Sequence, residues 1–267
     1  MIIAQISDLH VLAGDDRAYG IVDTNSLVAG AIAHINQLTP QPDCIVASGD
    51  LVHYGTLAEY QQLKTLLSAL KVPVYLLPGN HDSRENMRKI FPEHTHWPTD
   101  SEYLHYIVKT PDVQMIMLDT IVPGEPHGEI DGPRLTWLQT QLEASPQLPT
   151  LIFMHHPPFI TGIPMMDSIG LRGSDKLSQL IQQHPQVERI TCGHLHRSIY
   201  RRWAGTVATT QPSLVHQVVL DMKTEFGGTF AMEPPAYQLH IWTHDSVVSH
   251  TVFVGPFDGP YPFILKD

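Results

Sequence analysis

The feature that most constrains the fold is a regular alternation of short apolar runs with segments of helical periodicity. Runs such as Ile2–Ile6 and Thr150–Met154 have the length and apolar content of buried strands. After the first run, apolar residues recur at helical spacing from Leu27 to Leu38, and prolines follow them. Strands that alternate with helices in this way are typical of α/β proteins with parallel strands.

The alternation continues along the chain, and hairpins become more frequent towards its end. Thr56 and Glu59 have the spacing of a capping box, so we expect a helix to begin there. Asp131 and Ser174 are predicted N-caps of two later helices. A hairpin is expected within residues 237–254. The sequence therefore predicts an α/β protein with mixed sheets.

Polar side chains with metal-binding chemistry follow five of the predicted strands, directly beyond their carboxyl ends. In chain order they are Asp8 with His10, Asp50, Asn80 with His81, His155, and His194 with His196. The carboxyl edge of an open α/β sheet is where such folds place their binding sites. The i, i+2 spacing of the first and last pairs directs both side chains of a pair to one side of an extended segment. We therefore expect these residues to converge.

The types of side chain indicate which ion this edge would bind. Imidazole, carboxylate and amide oxygen without thiolate suit zinc, manganese, iron or cobalt better than calcium or an iron–sulfur cluster. Apart from His81, the set contains seven such groups, which is too many for one tetrahedral ion. Two ions that share one carboxylate would use all of them. Pairs of metal ions about 3.5–4 Å apart are used for phosphate ester hydrolysis.

The charge of the chain argues against nucleic acid as a partner. The net charge is −11, from 16 Lys and Arg against 27 Asp and Glu, and no basic block is present. A groove that follows nucleic-acid phosphates is therefore poorly supported. The sequence leaves open one local basic patch, around Arg197, Arg201 and Arg202.

The cysteines and the apolar runs indicate the setting of the protein. Cys44 and Cys192 are the only cysteines, and each lies in an apolar run that predicts a buried free thiol. This pattern favours a reducing, cytoplasmic setting. No run approaches the roughly 18 apolar residues of a membrane span. Residues 1–6 lack a basic lead and predict a buried strand rather than a secretory signal.

In order and spacing, the polar motifs resemble the full signature of the calcineurin-like metallophosphoesterase family. The matching residues are Asp8-x-His10, Gly49-Asp50-x4-Gly55, Gly79-Asn80-His81-Asp82, His155-x-Pro157 and Gly193-His194-x-His196. Within this family, the chain looks most like the bacterial branch of cyclic-nucleotide and glycerophosphodiester phosphodiesterases. Residues 19–25, 154–158 and 214–217 carry this closer likeness.

The resemblance implies a role for each matching residue. A first metal ion is assigned to Asp8, His10, Asp50 and His196, and a second to Asn80, His155 and His194, with Asp50 bridging. His81 is implied to face the substrate phosphoryl group without binding metal, and we expect Asp82 beside it to orient its ring. His216 is a candidate substrate-binding residue. The implied fold is two mixed β-sheets packed as a sandwich and flanked by helices, with the metals at the sheet edge.

The activity that the resemblance implies is hydrolysis of a phosphodiester, either a glycerophosphodiester or a cyclic nucleotide, by water held at the metals. The alternatives are a phosphomonoesterase or nucleotide pyrophosphatase with the same site, and a non-catalytic scaffold that binds a partner. We expect the catalytic domain to span residues 1–212. Residues 213–267 are expected to form an extension that caps the pocket or contributes the interface of a homo-oligomer.

Some of these residues also have ordinary explanations. Asn80 can form a left-handed turn as well as bind a metal. Of the adjacent His155 and His156, the His-x-Pro pattern of the family selects His155, which leaves His156 to support or pack. His53 lies in a loop after a predicted strand, and its spacing assigns it no role.

Overall fold

Strands and helices alternate through the part of the chain that the computed structural model describes, residues 1–223 and 228–263. The helices are α1 (Thr24–Ile35), α2 (Leu57–Leu67), α3 (Arg84–Ile90), α4 (Gly132–Glu143), α5 (Pro164–Ser168) and α6 (Ser174–Ile181). The strands are β1 (Ile2–Ile6), β2 (Cys44–Ser48), β3 (Val74–Leu77), β4 (Tyr106–Lys109), β5 (Gln114–Leu118), β6 (Gly128–Glu129), β7 (Thr150–Met154), β8 (Leu171–Arg172), β9 (Val187–Cys192), β10 (Ile199–Trp203), β11 (Thr206–Thr210), β12 (Gln217–Val218), β13 (Phe230–Ala231), β14 (Ala236–Trp242) and β15 (Val247–Phe253). Among the described residues, no helix has both the length and the apolar character that crossing a membrane requires.

Two large mixed sheets carry most of the strands. The first has the order β15-β14-β1-β2-β3, with β1, β2 and β3 parallel and β14 and β15 antiparallel. The second has the order β10-β11-β9-β7-β5-β4, with parallel strands at its centre and antiparallel strands at both edges. Ile6 lies opposite Ala47, and Ala47 opposite Leu76, so β1, β2 and β3 end at the same level.

The alternation of side chains along the second sheet shows how the layers are arranged. Met115 and Met117 of β5 belong to a core that contains the first sheet, α1 and α2. Ile116 and Leu118 of the same strand pack into a second core with α4 and α6. This is the two-residue period of a strand that is buried on both faces. The predicted fold, two mixed sheets flanked by helices, is confirmed.

Capping residues and apolar spacing predicted where most helices and strands begin and end. One predicted helix cap is wrong. Thr56 and Glu59 form the predicted capping box, in which the Glu59 nitrogen donates to Thr56 Oγ1 at 3.3 Å. The predicted cap at Ser174 is wrong, because Gly173 caps α6 with a left-handed φ of 84° and Ser174 is the first helical residue. Helix α5 was not predicted, since its 5 residues are too few to show a helical period.

The C-terminal hairpin is an integral part of the first sheet. Strand β14 pairs antiparallel with β1, so that Ile3 lies opposite His240, and β15 forms the edge. Tyr237 and Trp242 of β14 are buried in the core that contains β1. The hairpin itself was predicted, whereas its partner strand lies at the other end of the chain. The division of domains at residue 212 stays a prediction.

The two cysteines are buried and free, as predicted. Burial raises the pKa of the Cys44 thiol to about 12. Burial also raises the pKa of the Cys192 thiol, which lies in β9. Because the thiolate is the reactive form, both side chains behave as small apolar core residues.

A buried ion pair attaches the beginning of α3 to the second sheet. Arg84 donates from Nε to Asp119 Oδ2 at 2.6 Å and from Nη2 to Asp119 Oδ1 at 2.9 Å. The Asp119 carboxylate also accepts hydrogen bonds from the backbone nitrogens of Leu104 and Ile121. Burial favours a raised pKa for Asp119, but Arg84 outweighs it and the pKa lies below its ordinary value. Because α3 begins directly after residues 78–83, the pair also fixes that loop.

Replacing Arg84 with methionine should destabilise the protein by about 3 kcal/mol, because Asp119 would keep a buried charge without its cation. The measurement is the urea midpoint of unfolding at pH 7, followed by circular dichroism. Lys89→Met on the same helix is the matched control, since Lys89 pairs with Glu85 in solvent and exposed pairs contribute little. If Arg84→Met unfolded at the same midpoint as Lys89→Met, the structural role of the buried pair would be refuted.

Candidate metal centre

The loops that follow the strands of both sheets are hydrogen-bonded together at one edge. The Asp8 nitrogen donates to the Gly49 carbonyl at 3.0 Å, which joins the loops after β1 and β2. The Gly193 nitrogen donates to the His155 carbonyl at 3.0 Å, which joins the loops after β9 and β7. The His194 nitrogen donates to Asp8 Oδ1 at 3.0 Å and connects the two sheets. The structure therefore brings the predicted site residues together.

Five of the converging residues have a left-handed backbone. They are Asp8 (φ 55°), His10 (φ 45°), Asp50 (φ 50°), His194 (φ 68°) and His196 (φ 48°). This conformation is uncommon for residues with a Cβ, and it persists where the surrounding structure imposes it. Such residues concentrate at functional sites, where the strain fixes the direction of a side chain.

The glycines of the motifs allow the loops to approach one another. A Cβ at Gly79 would collide with the backbone nitrogen and the carboxylate of Asp50. A Cβ at Gly193 would collide with the Ser7 hydroxyl and press on the Asp8 carboxylate. Both positions therefore require glycine because the carboxylates are packed directly against the neighbouring backbone.

Asp8, His10, Asp50 and His196 form a first group of converging side chains. One ligand atom from each lies within 4.8 Å of the others. Nε2 of His196 is 3.4 Å from Asp8 Oδ1 and 3.3 Å from Nε2 of His10. All four side chains are buried. Two carboxylates and two imidazoles in one buried space are well suited to a transition-metal ion.

His155, His194 and Asn80 form a second group on the other side of Asp50. Nε2 of His155 lies 3.4 Å from Asp50 Oδ2 and 3.2 Å from Asn80 Oδ1. The ring centroids of His155 and His194 are 5.1 Å apart. The same oxygen of Asp50 is 3.8 Å from Nε2 of His10 in the first group. Asp50 Oδ2 therefore faces both groups.

Backbone carbonyls determine which nitrogen of four imidazoles faces inward. The contacts are His81 Nδ1 to His53 O at 2.7 Å, His155 Nδ1 to Ser48 O at 2.9 Å, His194 Nε2 to Ile169 O at 3.2 Å and His196 Nδ1 to His216 O at 2.8 Å. A carbonyl oxygen only accepts hydrogen bonds, so the nitrogen beside it carries a proton. In the predicted ligands His155, His194 and His196, the opposite nitrogen is then available to a metal ion, and this arrangement fits a metal site.

The pKa values show how the charges of the site balance. Burial favours a raised pKa for Asp50, but the charges of His155 and His81 hold it well below its usual range. Burial lowers the pKa of His155, yet Asp50 and Asp8 outweigh it and raise the pKa to about 9. Burial and the charge of His155 lower the pKa of His194 to about 3. The carboxylates thus stay charged beside a protonated His155, whose proton a metal ion would displace on binding.

His156 has both ring nitrogens occupied by hydrogen bonds within the protein, although it adjoins the second group. Its Nδ1 lies 2.8 Å from the Thr120 hydroxyl, and its Nε2 lies 3.3 Å from the Pro126 carbonyl. Because the carbonyl only accepts, Nε2 carries the proton and Nδ1 accepts from the hydroxyl. No lone pair remains to face the centre. The geometry thus favours His155 over His156 as the ligand of this pair.

A cavity of about 350 Å³ opens over the two groups. His81 and His216 line it, together with the predicted ligands His10, Asp50, Asn80, His194 and His196. Its outer wall is largely apolar and includes Met165, Met166 and Ile169. His81 and His216 are therefore positioned where a ligand bound beside the converging groups would contact them.

Two aromatic residues of the wall were not predicted as part of the site. The rings of Tyr19 and Phe230 are 5.0 Å apart, and Tyr19 also meets the rings of His53 and His216 at 5.1 and 5.5 Å. Tyr19 has a left-handed backbone with φ 55°. The following Gly20 signals a turn but gives no sign that the ring reaches the cavity. Phe230 lies in a two-residue strand that has no periodic pattern.

Asp82 does not orient His81, contrary to the expectation from the sequence. Its carboxylate accepts hydrogen bonds from the nitrogens of Gly79 at 2.8 Å and Leu51 at 3.1 Å, and from the Tyr60 hydroxyl at 2.8 Å. It therefore joins the loop after β2 to the loop after β3. His81 is instead oriented by a backbone carbonyl of the loop after β2.

Comparison with known sequences gives matches along the whole chain. The sequence model described as calcineurin-like phosphoesterase matches residues 1–198. A probable glycerophosphodiester phosphodiesterase of Arcobacter nitrofigilis is 38% identical over 265 residues, which cover 98% of this chain and 97% of the relative. A probable cyclic nucleotide phosphodiesterase of Rhodopseudomonas palustris is 34% identical over 266 residues, covering 98% of this chain and 95% of the relative.

Comparison with solved structures gives the same fold. A dimetal phosphatase from Danio rerio superposes with a TM-score of 0.67 at 15% identity, covering 95% of this chain and 99% of that one. Identity at this level supports the fold alone. The family match covers well over half of the chain, and the two bacterial relatives are more than 30% identical across nearly all of it. The chain therefore belongs to the calcineurin-like phosphoesterase family, as its motifs predicted.

Proposed function

We propose that the protein hydrolyses phosphodiesters at a centre of two metal ions. The observation that carries this proposal is the position of Asp50, whose Oδ2 lies 3.8 Å from Nε2 of His10 and 3.4 Å from Nε2 of His155. One carboxylate oxygen between two groups of imidazoles suits a ligand that two ions share. Membership of the family and the names of the bacterial relatives support the same chemistry.

The proposed ligands divide into two sets around the shared carboxylate. Asp8, His10 and His196 would hold one ion, Asn80, His155 and His194 would hold the other, and Asp50 would contact both. These ligand types accept zinc, manganese, iron or cobalt, so the supply of metal decides the occupant. When bound, the ions act as Lewis acids and lower the pKa of the attacking water towards about 7.

His81 is proposed to contact the phosphoryl group that is transferred. Its Nδ1 donates to the His53 carbonyl at 2.7 Å, and its backbone nitrogen donates to Asp50 Oδ1 at 2.9 Å. Among the residues that the structure describes, none accepts a hydrogen bond from Nε2, and His81 lines the cavity. A proton on Nε2 can neutralise a phosphoryl oxygen or pass to the departing oxygen as the P–O bond breaks. The leaving group then departs as an alcohol.

The lining of the cavity favours diesters over monoesters. Among the described residues that line it, none is Lys or Arg. The wall away from the proposed metal ligands is apolar and includes Met165, Met166 and Phe230, and a phosphate monoester has no second organic substituent to place against it. A diester carries a single charge and two organic substituents, and the cavity of about 350 Å³ has space for both. The phosphomonoesterase and pyrophosphatase alternatives are therefore less well supported.

A scaffold without catalytic activity is the alternative from another class. A chain that only bound a partner would have no need for buried carboxylates, which are costly to desolvate. Asp8 and Asp50 are nevertheless 0% and 2% exposed, beside imidazoles whose Nε2 atoms face the carboxylates. The presence of this arrangement supports catalysis. The cytoplasmic setting, the homo-oligomer and the capping role of residues 213–267 stay predictions.

Removing divalent metal should abolish hydrolysis of bis(p-nitrophenyl) phosphate, and Mn²⁺, Zn²⁺ or Co²⁺ should restore it. Asp50→Asn should lower kcat by at least about 100-fold, because the shared ligand loses its charge. His250→Gln, on the exposed edge strand β15, is the control and should retain wild-type activity. Absence of hydrolysis with all three metals would refute the proposed function.

His81→Ala should lower kcat by about 10²–10⁴-fold, the usual contribution of a group that transfers a proton. The metal content should stay unchanged, because His81 is proposed to face the substrate. Elemental analysis of the purified variant, alongside its kcat and KM, makes the comparison. A variant that lost one metal ion would show that His81 is a ligand and would contradict this role.

The enzyme should prefer bis(p-nitrophenyl) phosphate to p-nitrophenyl phosphate by about tenfold or more in kcat/KM, because the apolar wall of the cavity can contact a second organic substituent, which the monoester lacks. The same assay with glycerophosphoethanolamine and 3′,5′-cyclic AMP distinguishes the two diester classes among the relatives. Faster turnover of the monoester, or of a nucleoside diphosphate, would favour the alternative functions.

A further inference from the structure

His10 of the first group lacks the hydrogen bond to a backbone carbonyl that the other predicted histidine ligands and His81 have. His81, His155, His194 and His196 each place a ring nitrogen against a backbone carbonyl. For His10, the partner of the outward nitrogen is a side chain: its Nδ1 lies 3.3 Å from Nδ1 of His53. No backbone carbonyl forms a hydrogen bond with the His10 ring in the part of the chain that the structure describes.

A hydrogen bond between two ring nitrogens requires one proton and one lone pair. Nε2 of His10 faces the first group, 3.3 Å from Nε2 of His196 and 3.8 Å from Asp50 Oδ2. If this nitrogen is a metal ligand, it uses its lone pair, and the proton of the neutral ring must be on Nδ1. Nδ1 of His53 must then be the acceptor, with its own proton on Nε2.

The surroundings of His53 hold its ring in this orientation. The side chain is buried, with 5% of the residue exposed. Its ring packs edge-to-face against Tyr54 and Tyr19, at centroid distances of 4.5 and 5.1 Å. It also stacks on His81 at 5.4 Å with an interplanar angle of 27°. Three aromatic neighbours therefore restrict rotation of the ring away from His10.

We propose that the His53 side chain is a positioning residue, whose Nδ1 accepts the Nδ1–H of His10 and thereby directs Nε2 of His10 at the first metal ion. This inference depends on the proposed function, in which His10 is a ligand. The backbone carbonyl of the same residue orients His81. Substitution of the side chain removes the first interaction and leaves the second in place.

His53→Asn and His53→Leu form a matched pair that tests this role. The amide oxygen of asparagine can occupy the position of Nδ1 and accept the same bond, whereas leucine has similar volume and no acceptor. Affinity for Mn²⁺, measured by equilibrium dialysis, should fall by about 10–100-fold at one of the two sites in His53→Leu. His53→Asn should bind both ions as wild type does, and saturating Mn²⁺ should restore most of kcat in His53→Leu.

The urea midpoint of the metal-free protein separates positioning of a ligand from a purely structural role. We expect His53→Asn and His53→Leu to have equal midpoints, so that their difference in Mn²⁺ affinity does not come from a difference in folding stability. Equal Mn²⁺ binding by wild type and His53→Leu would overturn the inference alone, and so would equal losses in both variants. A wild-type chain that bound no Mn²⁺ would overturn the proposed function together with the inference.

Long-range ¹H–¹⁵N spectra of the wild-type protein loaded with Zn²⁺ give a second test that needs no folded leucine variant. The imidazole nitrogens of His53 should show a proton on Nε2 and none on Nδ1, with the signals assigned by comparison with His53→Asn. A proton on Nδ1 of His53 would overturn the inference.

Discussion

Two buried carboxylates, Asp8 and Asp50, impose the main physical constraint on this protein. A carboxylate without compensation in the interior is strongly unfavourable, so each must be surrounded by positive charge and hydrogen-bond donors. The donors include the backbone nitrogens of His194 and His81, and the positive charge of the metal-free protein comes from imidazoles such as His155. The same compensation prepares the site for metal ions, because a cation can replace the imidazole proton between the carboxylates.

Meeting that constraint requires both sheets at once. Asp8 belongs to the loop after β1 of the first sheet, whereas His194, which donates to it, follows β9 of the second. The carboxylate of Asp82 joins the loops after β2 and β3, and Arg84 with Asp119 attaches the following helix to the second sheet. The converging groups are therefore held by rigid strand ends and by interactions at some distance from the cavity, as a preorganised site requires.

The side of the cavity away from the ligands is built differently. Tyr19 and Phe230 come from parts of the chain that follow no regular pattern, and their rings meet beside His216. No cation accompanies them among the described residues of the wall. This half of the cavity offers apolar contact and aromatic faces, so we expect it to discriminate between the organic substituents of a diester. Under the proposed function, the other half would act on the phosphate that all such substrates share.

The sequence alone determined the α/β class, the strand ends that carry polar residues, and the family, because each depends on spacing over a few residues. Thr150–Met154 and the capping box at Thr56 are examples that the structure confirms. Tertiary structure alone decided which nitrogen of each imidazole faces inward, the pairing of β14 with β1, and the contact of His53 with His10. The physical reason is that a hydrogen bond between distant residues depends on distances and directions that only packing sets, and no local periodicity records them.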